Sequence, residues 1–447
     1  MICSDSRIET GAPQPGPAWR TSATSWAGKG ALALADQGLI AASNFLVALL
    51  LARQLAPAHY GAYALAFEVF LLLAIFYSSF ILEPMSVFGP SVYKNSLPEY
   101  LGAILRVHLW VALGTMVVVG GAAWLIHALA GADTLAVAIG GVAVAGPCVL
   151  LFWVVRRAFY IKLAPGSAVS GALVYCIALL TGLLLCYRLH LLSPLVAFLL
   201  MAAGALVTAP ALIARLKPAW KSVSGSPTTL EVAQRHWTYG RWALASSGAS
   251  WATGAIFYFS LTSFHGLAAT GELKALLNLS SPVSQGFAAL SLLSLPYASG
   301  IHHAQGRSGV SKLTERLTVL YMGGTAAYFA ILIVLREPIL RWLYGGKYQG
   351  VASLVPWVAL ALVLRIGATA QAIPLRAVQS PSLVFAAYGT STLVAIIAGI
   401  PATWAFGLRG AVLASVLASA TAMIAAYVLL HRKLRQPELV TPDLQAS

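Results

Sequence analysis

Residues 49–72 read LLLARQLAPAHYGAYALAFEVFLL, and this stretch decides the fold. Leu51-Ala52-Arg53 closes an apolar helix, Pro57 and Gly61 bracket a turn, and the apolar run resumes at once with Glu68 inside it. Proline suits the first turn of a helix and glycine the turn itself. Two apolar helices joined this tightly, with a charge inside the second, make a membrane hairpin.

The remainder of the chain repeats the pattern. Of 447 residues, 59% are hydrophobic and 9% charged, with a mean hydropathy of +0.81. A soluble domain carries about 25% charged residues, so this chain is dissolved mainly in lipid. At about 20 apolar residues per crossing plus a short connection, its length gives about a dozen spans. Twelve segments can be drawn, at about 30–53, 61–88, 102–129, 134–157, 166–188, 193–215, 237–263, 271–296, 316–336, 351–374, 383–405 and 408–430. The expected architecture is an all-α polytopic membrane protein in two six-helix lobes, 29–215 and 237–431. A basic, polar linker at 216–236 joins them, containing Lys217, Lys221, Arg235 and a Ser-Gly-Ser-Pro run. Residues 1–28 lack an apolar core and are expected to be a disordered lead rather than a signal peptide, and 432–447 a polar tail.

The net charge is +15. No basic groove with interleaved aromatics accompanies it, which excludes nucleic acid as a partner and points to cytoplasmic loops facing anionic lipid. About 20 Lys and Arg fall on the side of both termini, among them Arg156, Arg157, Lys162, Arg215, Arg307 and Arg432, against about seven opposite. Those seven are Arg53, Arg188, Lys274, Arg336, Arg341, Lys347 and Arg409. Both termini are therefore expected in the cytoplasm, which requires an even number of spans. Cys3, Cys148, Cys176 and Cys186 show neither C-x-x-C spacing nor an adjacent His, so no metal site is expected. Nucleotide-binding and metalloprotease motifs are absent too, and no cofactor or enzymatic role is expected.

A repeat supports the two lobes. LAATGELKALLNL around Gly271 aligns with PAHYGAYALAFEV around Gly61, and Leu82-Glu83-Pro84 is answered by Ser294-Leu295-Pro296. Arg157-Ala158 after the fourth span is answered by Arg376-Ala377 after the tenth. Three matches in one order, about 210 residues apart, favour an internal duplication over chance likeness among Ala- and Leu-rich segments.

A charge deep in a span costs several kcal/mol and should face protein or water. Asp36, Gln37, Ser43 and Asn44 put polar atoms along one face of the first span. In the second, Glu68 and Glu83 are about 22 Å apart along the helix, so they face opposite aqueous sides. The seventh carries Ser246, Ser247, Ser250, Trp251 and Tyr258; the eighth has a polar, Pro-broken middle at Asn278, Ser280, Ser281, Pro282, Ser284 and Gln285. Arg365 lies deep in the tenth, with Arg376 three turns on, nearly in register. Structural readings stand beside the functional ones. Serines in spans also pack helices closely, Glu83 can sit at a headgroup boundary, and Arg53, Arg156, Arg157 and Arg376 can be snorkelling anchors. Two of the deep charges, Asp36, Glu68 and Arg365, can form a structural ion pair.

Asn44-Phe45-Leu46, Leu51 to Pro57 and Tyr60-Gly61-Ala62-Tyr63 resemble, in that order, the opening hairpin of the bacterial polysaccharide (O-antigen, capsule or exopolysaccharide) flippases. These belong to a superfamily that includes the multidrug antiporters and the lipid II flippase. Leu343-Tyr344-Gly345-Gly346-Lys347-Tyr348 is similar to the family's outer loop before the tenth span, and Gly407-Leu408-Arg409-Gly410-Ala411 to its turn into the last helix. The resemblance implies twelve helices around a central cavity in the bacterial inner membrane. It implies a cargo of undecaprenyl-diphosphate-linked oligosaccharide for lipopolysaccharide or exopolysaccharide biosynthesis, moved by ion- or potential-driven alternating access. A glycan polymerase and chain-length machinery are the implied partners. Asp36, Asn44, Glu68, Arg365, Arg376 and Arg53 are the candidate cavity residues, and Asp36, Glu68 and Glu83 the candidates for ion coupling. A cationic cavity would rest on Arg365 with help from the rims. The alternative is an antiporter exporting small cations through Asp36 and Glu68. A membrane-embedded glycan polymerase or ligase would need a long outer loop rich in Arg, His or carboxylates, and the sequence has none.

Overall fold

A computed structural model describes residues 18–131, 133–220, 227–378 and 380–435. The first half runs α1 (Ala18–Gln54), α2 (Pro57–Tyr77), a π-helical turn at Ser78–Leu82, α3 (Glu83–Phe88), α4 (Leu97–Ala130), α5 (Asp133–Ile161), α6 (Pro165–Arg188) and α7 (Pro194–Leu216). The second half runs α8 (Thr229–Asn278), α9 (Ser281–Val334), α10 (Arg336–Tyr344), α11 (Val355–Ala377) and α12 (Pro381–Val394). A second π-helical turn at Ala395–Gly399 then leads into α13 (Ile400–Arg435). Prolines open α2, α6, α7 and α12, where a missing N–H costs nothing.

Three of these helices run through a reversal and hold parts of two spans. α8, α9 and α13 break at Gly266, Gly306 and Gly407, whose φ of 81°, 61° and 56° with extended ψ suits glycine alone. The chain folds back on itself there. Thr270 Oγ1 lies 2.8 Å from Thr262 Oγ1 across the Gly266 break, and a Cβ on Gly410 would stand 1.9 Å from the Ala402 carbonyl across the Gly407 break. His265 closes two of these turns together, its Nε2 lying 2.8 Å from the Thr403 carbonyl oxygen.

With these breaks the path makes twelve crossings in two six-helix lobes, an all-α polytopic fold. Among the described residues 9 helices are apolar enough to be recognised as spans, the last of them a double span at Ser382–Arg435. The two that fall short are the seventh and eighth, the serine-rich pair. Their lower hydropathy comes from the serines of α8 and the polar, Pro-broken start of α9.

Three expected boundaries move. The lead expected to be disordered through residue 28 is helical from Ala18, because Pro17 is the last proline before an uninterrupted helix-compatible run. Residues 1–17 and 436–447 lie outside the described residues, and α13 carries the expected tail's start to Arg435. The linker expected at 216–236 ends earlier, since α8 starts at Thr229. Thr228 and Glu231 form a capping box there, each side chain taking up the other's backbone N–H. The linker is also docked: Ala219 N–H donates to the Pro98 carbonyl at 2.9 Å, and Arg106 Nε donates to Thr229 Oγ1 at 2.9 Å.

Within the first lobe α5 packs on α2, α4 and α7, and α6 on α1 and α7; within the second, α11 packs on α9 and α13, and α13 on α8 and α12. The main contact between lobes is α2 against α8. At its centre sit the two glycines that the repeat aligns. A Cβ on Gly61 would stand 1.7 Å from the Leu267 carbonyl oxygen, and one on Gly271 would stand 2.4 Å from the Pro57 carbonyl oxygen. Pro57 and Leu267 are themselves equivalent in the repeat, so the contact is reciprocal, as it is across a two-fold axis. The duplicated hairpins thus cross at a pseudo-two-fold, at the end of the molecule distal to both termini.

Candidate functional site

Two cavities lie along the lobe boundary. One, of about 540 Å³, is enclosed mainly by α8, α9, α11, α12 and α13, and α2 walls one side of it with Glu68 and Leu71. Arg365, Trp251, Tyr258 and Tyr388 line it. The other, of about 670 Å³, lies between α1 and α9. Its wall is apolar at Leu34, Ala41 and Phe45 and polar at Gln37, Gln285 and Arg157.

Of the residues expected to share a cavity, the structure brings together two, Glu68 and Arg365. Glu68 is 6% exposed, whereas the Arg365 side chain is accessible from within the cavity. Lys274 and Arg365 are the charges that act on the Glu68 carboxylate. Neither forms a direct ion pair with it, for among the described residues the close pairs are Arg156–Asp36 and His127–Asp133. A buried carboxylate faced by two cations at a stand-off leaves room for a polar or ionic guest. Trp251, on the same wall, acts on the Glu68 carboxylate as a hydrogen-bond donor, and Ser284 Oγ finds no hydrogen-bond partner among the described residues. Buried polar groups are rarely left unpaired, so Ser284 suits contact with water or cargo.

Asp36 is elsewhere. It is fully buried, accepts from Arg156 Nε at 3.1 Å and from Tyr160 O–H at 2.6 Å, and is closed by a second contact from Arg156. The structural ion pair that the sequence left open is therefore made between Asp36 and an arginine of the fourth span, not with Glu68 or Arg365. The reason is chemical: a buried carboxylate is tolerated where a guanidinium and a hydroxyl satisfy it. Asn44 is half-buried on α1 and lines neither cavity. Arg53 is exposed at the distal end of α1, and Arg376 is exposed near the other end of α11. Neither reaches a cavity, since both sit within a turn or so of a helix terminus. Glu83 is exposed as well, within electrostatic range of Arg157 and Arg376.

Sequence reasoning missed two cations, one that acts on Glu68 and one that lines a cavity. Lys274 was counted as a distal loop charge, but α8 turns back already at Gly266, so Lys274 is two turns inside the span. Its Nζ lies 4.8 Å from the Phe67 ring centre and 5.8 Å from that of Tyr258, a cation resting on aromatic faces of both lobes. Arg157, read as an anchor, lines the cavity between α1 and α9. Its neighbour Arg156 is turned inward to Asp36, so consecutive arginines, about 100° apart around α5, serve different partners.

At the terminal end the α2–α8 flank is also closed. His236 shares a hydrogen bond of 2.7 Å with Tyr100 O–H through Nε2, and its Nδ1 lies 3.0 Å from the Phe80 carbonyl. Phe80 belongs to the π-helical turn of the second span, where the widened helix turns a carbonyl outward. The cavity between α1 and α9 thus lies on the flank where the lobes pack least.

No family model matches the chain, and no curated protein matches it by sequence. Solved structures do. The chain is similar to the inward-facing conformation of a multidrug resistance MATE family transporter of the MOP superfamily, with 10% identity over 89% of this chain and 94% of that one and a TM-score of 0.75. Against an outward-facing conformation of such a transporter the TM-score is 0.65, with 12% identity over 90% and 94%. A third likeness is to a MOP superfamily transporter from Pyrococcus furiosus for which reverse polarity of the binding pocket suggests a different function (TM-score 0.66, 10% identity, 91% and 94% covered). The chain therefore has the fold of the MOP superfamily transporters, twelve helices in two lobes.

Proposed function

We propose that the protein is a multi-pass transporter of the bacterial inner membrane that works by alternating access, with both termini cytoplasmic and the two lobes divided between α7 and α8. Its cargo is a lipid-linked oligosaccharide, an undecaprenyl-diphosphate glycan destined for surface polysaccharide. The carrying observation is that the arginines facing the two cavities, Arg157 and Arg365, are not consumed by a close ion pair, while the buried carboxylate Asp36 is neutralised by Arg156. Guanidinium groups bind phosphate oxygens bidentately, and a diphosphate needs such partners to leave water. The apolar wall between α1 and α9 suits the tail. Glu68 is the candidate for ion coupling, as the carboxylate that faces the cavity.

A second reading has its own support. The structural likenesses by themselves favour export of a small amphipathic cation, and Glu68 beside Trp251 and Tyr258 suits a cation held on aromatic faces. Reconstituted vesicles separate the two. With Arg365→Ala and Arg157→Ala, the lipid-linked reading expects at least a tenfold loss of translocation of an undecaprenyl-diphosphate sugar and unchanged efflux of ethidium. The cation reading expects ethidium efflux lost in Glu68→Gln and no glycolipid translocation by any form of the protein.

A further inference from the structure

The segment Leu343-Tyr344-Gly345-Gly346-Lys347-Tyr348 lines neither cavity, yet it makes side-chain contacts with the other lobe. It follows the short helix α10, and Gly345 and Gly346 adopt φ of 63° and 88°, a consecutive left-handed pair that turns the chain back over the distal end. From there Lys347 crosses the lobe boundary. Its Nζ donates to the Leu55 carbonyl oxygen at 2.9 Å. Leu55 follows the last residue of α1, where helix carbonyls lack intrahelical donors and the helix dipole favours a cation. A lysine of the second lobe thus caps a helix of the first.

Behind it is a plug of tyrosines. Tyr60, Tyr344 and Tyr348 are each at most 1% exposed, with Tyr348 ring centres 6.4 Å from Tyr60 and 5.3 Å from Tyr344. Tyr344 O–H donates to the Ala275 carbonyl at 2.8 Å, and Asn278 Nδ2 donates to Tyr60 Oη at 2.6 Å. Asn278–Tyr60 and Lys347–Leu55 are side-chain hydrogen bonds between the lobes, and both lie at the crossing of Gly61 and Gly271. Any state in which the distal end opens must break them and part the rings.

We propose that the 344–348 loop is the strap of the distal gate, and that the Lys347 cap on α1 sets the balance between distal-closed and distal-open states. This extends the transport reading and is independent of the cargo. The strap is reversible because one capping bond, Lys347 to Leu55, ties it to the first lobe, beside the Asn278–Tyr60 bond and the ring packing that close the rest of the boundary. Removing one such bond shifts a two-state balance by about three- to tenfold.

The test measures the labelling rate of single cysteines in detergent-purified full-length protein whose four native cysteines are replaced by alanine. Ala275→Cys, fully buried beneath the plug, reports distal opening. Ala41→Cys, on the wall of the cavity between α1 and α9, reports the opposite opening. Lys347→Met keeps the stem and removes the donor. It is expected to raise the Ala275→Cys rate about three- to tenfold and to lower the Ala41→Cys rate, with Lys347→Arg restoring both. Tyr348→Phe, which removes an oxygen with no hydrogen-bond partner among the described residues, is expected to change neither. Rates unchanged by Lys347→Met, or rates raised together at both positions as general loosening would raise them, overturn the proposal. If Lys347→Met does not fold, Lys347→Gln takes its place with the same two opposite outcomes required.

Discussion

Asp36, Arg156 and Tyr160 show how one buried carboxylate can look functional in a sequence and be structural in the fold. The pair ties α1 to α5, and the Arg156 guanidinium also lies 5.0 Å from the ring centre of Phe152. Removing one partner leaves the other charge buried without compensation, which costs about 3–5 kcal/mol, whereas replacing both with apolar residues of similar size is often close to neutral. Asp36→Asn or Arg156→Met alone should therefore lower the melting temperature in detergent markedly. Asp36→Leu combined with Arg156→Met should recover most of the loss. Equal melting temperatures for single and double variants would show that the pair is not what holds α1 in place. Depth along a span identified Asp36 as costly, but nothing local in the sequence could say that residue 156 would meet it.

Among the elements, the crossing of α2 and α8 depends on the absence of a side chain at two positions. A methyl on Gly61 would overlap the Leu267 carbonyl, and backbone cannot move aside as a flexible side chain can. Gly61→Ala is expected to destabilise the protein by about 3 kcal/mol, or to prevent its accumulation in the membrane. Gly114→Ala, in α4 with nothing near its missing Cβ, is expected to be neutral or to stabilise by up to about 1 kcal/mol through helix propensity. Thermal unfolding of the two variants side by side distinguishes a packing requirement from a general intolerance of added bulk. The repeat alignment had singled out Gly61 and Gly271 as equivalent turn glycines. Their meeting each other is a consequence of the pseudo-two-fold relation, which no alignment of one half on the other displays. The breaks at Gly266, Gly306 and Gly407 were legible: the first two fall in the gaps between the segments drawn at 237–263, 271–296 and 316–336, and the last in the Gly407–Ala411 motif.

For the whole molecule, the count of spans and their sidedness follow from sums over many residues. An even number of crossings places residues 18 and 435 at the same end. A green fluorescent protein fused after Arg435 should fluoresce, and alkaline phosphatase inserted at Gly131, between α4 and α5, should be active, because each reporter works on one side of the inner membrane only. The reverse pair of results would invert the orientation drawn from the Lys and Arg bias while leaving the fold intact.

The sequence by itself determined that this protein lives in lipid, that it crosses about twelve times, and that its two halves are related, because hydropathy, length and repetition are additive along the chain. It also identified Glu68 and Arg365, since a charge far from either end of an apolar run is costly wherever the helix packs. What only the tertiary structure decided is which polar groups meet. Glu68 shares a cavity wall with Arg365 and feels the charge of Lys274, Asp36 is satisfied by Arg156, and Lys347 reaches from one lobe to cap a helix of the other. Those encounters depend on the rotation of each helix about its axis and on the approach of lobes more than 200 residues apart in sequence, and neither is encoded in any one segment.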